Sequence, residues 1–257
     1  MNAPLQGRAA LVTGVSRRAG IGYAVTRRLS DFGARVFIHS FSPHDAEQPW
    51  GADAGGPEVL VQQLGDEGHY VSHLEADFAH ADAPRRVIDA ARAEFGHIDI
   101  IVANHARSSA RSLEAVTAAE IDLTFAVNAR ATLLLIKEFA ANHDGRPGGR
   151  VVMMTSGQHR GAMPDELPYV ASKGAIHQLT GSLAAHLAPR RITVNTIDPG
   201  ATDTGYASPE LHRFVLEREP LGRWGKPEDA ARLIAWLATD DARWVTGQVI
   251  SSTGGGP

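Results

Sequence analysis

The chain has 257 residues, enough for one large α/β domain or two small ones. Hydrophobic residues make up 43% and charged residues 21%, and 25 basic against 29 acidic side chains leave a net charge of −4. That balance offers no concentrated basic face for nucleic acid or an anionic membrane. The lack of cysteine excludes disulfides, thiolate catalysis and Cys-ligated zinc or iron–sulfur clusters, and fits a reducing cytoplasm. Met1–Gly7 lacks the basic-then-apolar layout of a signal peptide. No apolar run approaches the about 20 residues that cross a bilayer.

Short apolar runs alternate with amphipathic stretches along the whole chain. Strands are expected at Ala9–Thr13, Arg35–His39, Tyr70–Glu75, Ile98–Ala103, Arg150–Thr155, Thr193–Ile197 and Gln248–Ser251. Helices are expected at 22–32, 57–66, 83–95, 118–142, 168–188 and 226–239. This β-α rhythm predicts a single domain: a doubly wound parallel sheet of about seven strands in the order 3-2-1-4-5-6-7, with helices on both faces. Ligands of such a sheet bind beyond the carboxyl ends of its strands. Two segments are irregular. Ser42–Pro57 reads as an inserted surface loop, whose Trp50 either sits passively or covers a ligand. Thr202–Pro220, with a helical pattern near Pro209–Glu217, reads as a substrate lid.

Thr13-Gly14-Val15-Ser16-Arg17-Arg18-Ala19-Gly20-Ile21-Gly22 follows the first strand and opens the first helix. Glycine there lets backbone approach a pyrophosphate, and the free amides of a helix start attract its charge. Further along, Tyr169 and Lys173 are four residues apart at the start of a long helix, so both can face one crevice. Phenols ionise near pH 10, and a neighbouring ammonium favours the phenolate. Ser156 ends the fifth strand, thirteen residues before the tyrosine. Its hydroxyl can orient a carbonyl.

Thr13-Gly14 with Gly20-Ile21-Gly22, together with Asn128, Ser156, Tyr169 and Lys173, resembles the short-chain dehydrogenase/reductase family, in particular members like bacterial 3-oxoacyl-carrier-protein reductases. The glycine turn is two residues longer than the family's usual spacing. The resemblance implies a Rossmann-type fold and an oxidoreductase moving a hydride between nicotinamide and a carbonyl or secondary alcohol. It implies that Tyr169 exchanges the proton, that Lys173 lowers the tyrosine pKa and holds the nicotinamide ribose, and that Asn128 supports a water-mediated proton relay. On the cofactor side it implies Gly14, Ser16, Gly20, Ile21 and Ser40 at the dinucleotide, and Asp77 with Phe78 at the adenine. Near the nicotinamide it implies Asn104, His105, Pro199, Gly200, Thr202 and Thr204.

His39-Ser40-Phe41 carries no carboxylate to bind ribose hydroxyls, and Arg17 and Arg18 can supply charge to a 2′-phosphate, so NADP(H) is favoured over NAD(H). Where the family has two small residues, this chain has His105 and Ala106. His105 either narrows the pocket, contacts the ribose or turns its ring to solvent. Among the 12 histidines, His69 and His73 flank a strand about 13 Å apart, too far for one metal. Asp240-Asp241 reads as a solvated pair. The expected partner is a small carbonyl or alcohol substrate, and family members commonly assemble as tetramers or dimers through the two central helices. The alternative is an NADP(H)-binding redox sensor without turnover.

Overall fold

A strand covered by helices on both sides has no solvent face, so its residues run apolar without alternation. β1 (Ala9–Thr13) is such a strand, with all five residues buried. In the computed structural model, which describes residues 3–256, it lies in the middle of a seven-stranded sheet. The order is β3-β2-β1-β4-β5-β6-β7, as expected, and every pairing is parallel. The other strands are β2 (Arg35–Ser40), β3 (Val71–Glu75), β4 (Ile100–Ala103), β5 (Gly149–Met154), β6 (Ile192–Asp198) and β7 (Val249–Ser251).

Side chains alternate across the sheet, so β1 serves two cores. Ala10 and Val12 join Val25 and Leu29 of helix α1 (Ile21–Asp31) and Ile234. Ala9 and Leu11 join Val87, Leu135 and Ile176 on the opposite face. Ile234 lies on helix α9 (Pro227–Ala238), which packs beside α1. The segment between β2 and β3 holds a short helix α2 (Ser42–Ala46) and helix α3 (Gly56–Asp66), so Ser42–Pro57 is partly ordered as helix rather than loop.

Helix α4 (Ala83–Phe95) precedes β4. The stretch 118–142 is helical throughout, as expected, though not as one regular α-helix. Helix α5 (Ala118–Phe125) and helix α6 (Ala131–Asn142) flank a wide π turn over Ala126–Arg130. Asn128 stands in this turn, and its side-chain amide bonds away from its own helix: Nδ2 donates to Arg107 O at 3.1 Å and Ser172 Oγ at 2.9 Å, while Oδ1 accepts from Arg107 N at 2.6 Å. Helix α7 (Leu167–Leu187) follows β5. Helix α8 (Pro209–Leu216) stands in the irregular 202–220 segment, capped by the Ser208 hydroxyl.

β1 and β4 are neighbours although their connections run to opposite sides, and the crevice opens beyond their carboxyl ends.

Candidate active site

A cavity of about 830 Å³ occupies that crevice, a volume suited to a small-molecule ligand. Its floor is the glycine turn. Gly14 has φ +73°, and a Cβ there would lie 2.7 Å from His105 Cα, so both conformation and packing require glycine. A Cβ on Gly22 would meet Gly14 O at 2.5 Å. Helix α1 starts at Gly20 with no side-chain cap and no acidic residue in its first turn. Its leading amides therefore suit an anion, and the donor set fits the pyrophosphate of a dinucleotide.

Asn104 clamps this turn from β4: its Nδ2 donates to Thr13 O and Gly14 O, both at 3.1 Å. His105 does not turn to solvent. Its ring is buried, with Nε2 3.1 Å from Val127 O and Nδ1 2.7 Å from Thr13 Oγ1. A carbonyl only accepts, so Nε2 carries the proton and Nδ1 accepts from Thr13. His39 adopts the same neutral form, with Nε2 donating to Ala76 O at 2.8 Å and Nδ1 accepting from Gly14 N at 3.4 Å. Phe78 stacks on His39 at 3.9 Å and meets His105 edge-on at 4.5 Å. Burial lowers His39 to about 4 and holds His105 well below 6.5. The glycine turn thus rests on two uncharged imidazoles.

At the other end of the cavity stand Ser156, Tyr169 and Lys173. Ser156 follows β5, and Tyr169 and Lys173 share a face of α7. Burial pushes the Tyr169 phenol up to about 12, against an opposing pull from the nearby Ser156 hydroxyl. Lys173 is buried and lowered to about 8 by desolvation. Its Nζ donates to Met154 O at 2.9 Å and lies 5.7 Å from the Tyr169 ring centre. Burial acts in the direction opposite to the lowering expected from Lys173. A phenol held protonated at neutral pH is equipped to donate.

A family model described as enoyl-(acyl carrier protein) reductase matches residues 14–256. The chain belongs to the short-chain dehydrogenase/reductase family. It is an oxidoreductase of this family, whose members bind a nicotinamide cofactor. An uncharacterized oxidoreductase of Bacillus subtilis is 38% identical over 252 residues, 97% of each chain. The crystal structure of a short chain dehydrogenase from Burkholderia cenocepacia in complex with NADP superposes with a TM-score of 0.87 at 32% identity, covering 98% of both chains. The angucycline C-6 ketoreductase LanV with bound NADP gives 0.86 at 31% identity, over 98% of this chain and 96% of that one.

The family's cavity in this chain gathers most of the residues read from the sequence. Gly14, Ser16, Arg17, Gly20 and Ile21 line the phosphate end, with Asp77 and Phe78 alongside. Asn104, His105, Pro199, Gly200, Thr202 and Thr204 line the remainder of that wall. Three residues fall elsewhere. Ser40 is fully buried, its Oγ 2.7 Å from His73 Nε2, because it points to the opposite side of β2 from His39. Arg18 is outside the cavity lining, and its backbone amide donates to Asp53 Oδ2 at 2.7 Å. Asn128 stands behind the wall, holding Arg107 and Ser172.

Several contributors carried no sequence signal. Arg160 Nε bonds the fully buried Asp198 at 2.8 Å and its Nη1 reaches Gly256 O at 2.6 Å, tying the wall after β5 to β6. Away from the cavity, Asp240 is solvated as expected, with 71% of its side chain exposed, and it also accepts from Arg150 at 3.1 Å. Asp45, Met163, Glu166 and Tyr206 also face the cavity. A carboxylate closing a buried strand, as Asp198 does, is the one warning that a cation must reach it.

Proposed function

We propose that the chain is an NADP(H)-dependent carbonyl reductase or alcohol dehydrogenase, acting on a ketone or the matching secondary alcohol. The observation that carries this reading is the neutral Tyr169 phenol beside Ser156, in the same cavity as the uncapped start of helix α1. When bound, the nicotinamide supplies or accepts the hydride. In the reducing direction Ser156 orients the carbonyl oxygen and Tyr169 gives it the phenolic proton. Lys173 holds the nicotinamide ribose, and its lowered pKa eases proton return to the tyrosine. Asn128 acts as a positioning residue through Ser172. Arg17 meets the 2′-phosphate, while Ser40 and Arg18 contribute nothing to that contact.

Met163, Leu123, Tyr206 and Leu211 give the substrate end an apolar and aromatic wall. Such a wall suits a bulky ring ketone of polyketide type, in keeping with the angucycline ketoreductase among the structural neighbours, and also admits a 3-oxoacyl thioester. Segment 202–220 acts as the lid. Ile121 on α5 and Leu133 on α6 are exposed and would serve the pairing of copies through these helices.

The test is loss of NADPH absorbance against a panel of polycyclic and acyclic ketones. Tyr169→Phe is expected to lower turnover at least about 100-fold, the range of general acid catalysis, with NADPH affinity retained. Unchanged turnover in that variant would remove the assignment.

A further inference from the structure

Arg17 is the cation nearest the start of helix α1 within the cavity, yet its charge is already compensated. Its Nε lies 3.0 Å from Asp45 Oδ1, with 13% and 15% of the two side chains exposed. The same Asp45 oxygen accepts from Trp50 Nε1 at 2.9 Å, and the guanidinium carbon lies 5.4 Å from the centre of the Trp50 ring. Arg17 Nη1 donates to Thr204 O at 3.1 Å, and Trp50 meets Tyr206 edge-on at 6.5 Å. Segment 42–57 is therefore no passive insertion. It delivers a carboxylate to the residue that would read the 2′-phosphate, and an indole to the lid.

We infer that Asp45 is a specificity-determining residue: a built-in counter-ion that competes with the cofactor's 2′-phosphate for Arg17 and so restrains the preference for NADP(H) over NAD(H). The inference rests on the NADP(H) reading above. A carboxylate and a phosphate beside one guanidinium repel each other, and Arg17 can face both fully only if Asp45 swings away. Unphosphorylated cofactor leaves the Arg17–Asp45 pair in place. Displacing Asp45 also frees the Trp50 indole from its acceptor, so 2′-phosphate binding changes the tryptophan environment at the lid.

The test measures dissociation constants of NADPH, NADH and adenosine 2′,5′-bisphosphate by calorimetry, for the full chain and for Asp45→Asn, Asp45→Ala and Arg17→Ala. Both Asp45 variants are expected to bind NADPH and the bisphosphate about tenfold more tightly, as for a change of roughly 1.4 kcal/mol, with NADH moved less than about twofold. Tryptophan emission is expected to shift with the bisphosphate and not with adenosine 5′-monophosphate in the unaltered chain, and this difference should vanish in Trp50→Phe. Weaker NADH binding in the Asp45 variants would overturn the proposal, since it would make Asp45 an acceptor for the ribose hydroxyls. Unchanged constants for all three ligands would overturn it too. If Arg17→Ala weakens NADPH selectively while the Asp45 variants change nothing, the proposal fails alone. If Arg17→Ala affects both cofactors equally, the NADP(H) reading fails first.

Discussion

Acidification should unfold this protein through the imidazoles beneath its glycine turn. His39 is 2% exposed and its pKa falls from 6.5 to about 4 because burial penalises the cation. Above pH 6.5 the ring is neutral whether the chain is folded or not, and pH has no leverage through it. Below that value the unfolded chain takes up the proton first, so stability drops by about 1.4 kcal/mol per pH unit. The loss ends near the folded pKa of about 4, where it totals about 3 kcal/mol. His105 is shifted in the same direction and steepens the slope. Urea unfolding midpoints, followed by circular dichroism from about pH 7 to about pH 4.5, measure this directly. His39→Asn removes one titrating group and should flatten the dependence by about one proton, whatever its effect on stability at neutral pH. An identical pH slope in wild type and variant would refute the reasoning.

Two further outcomes follow from pairs described above. Arg160→Met strands the fully buried carboxylate of Asp198 and should cost about 3 kcal/mol in denaturant unfolding; a loss under about 1 kcal/mol would mean that water reaches the acid. Asn128→Ala leaves both polar backbone groups of Arg107 and the Ser172 hydroxyl short of a partner, so about 2 kcal/mol should be lost. Because Asn128 acts through other residues, its variant should lower kcat more than it raises KM, and a purely structural role would leave both unchanged in the folded fraction.

The sheet is legible in the sequence because a doubly covered strand has to be apolar at nearly every position, as Ala9–Thr13 and Ile100–Ala103 are. Tyr169 and Lys173 are legible for a local reason as well, since four-residue spacing fixes a shared helix face before any tertiary contact exists. What escapes is decided across long distances. The π turn within 118–142 coincides with Asn128 reaching Arg107 and Ser172, and nothing in its neighbours' helix preference announces it. For Ser40, which the family resemblance places at the dinucleotide, the alternation of side chains along β2 points it to the face away from the cavity. Arg17 and Arg18 are adjacent in sequence, but only Arg17 lines the cavity. A charged neighbour of Tyr169 is visible in the sequence, whereas its burial, which pushes the phenol up, is set by the assembled fold.

Arg160 bridges Asp198 and Gly256, partners 38 and 96 positions away along the chain. One guanidinium thereby fastens the segment after β5 to the end of β6 and to the residues after β7. Three stretches remote along the chain share this single knot, so loosening it at any one of them loosens the other two.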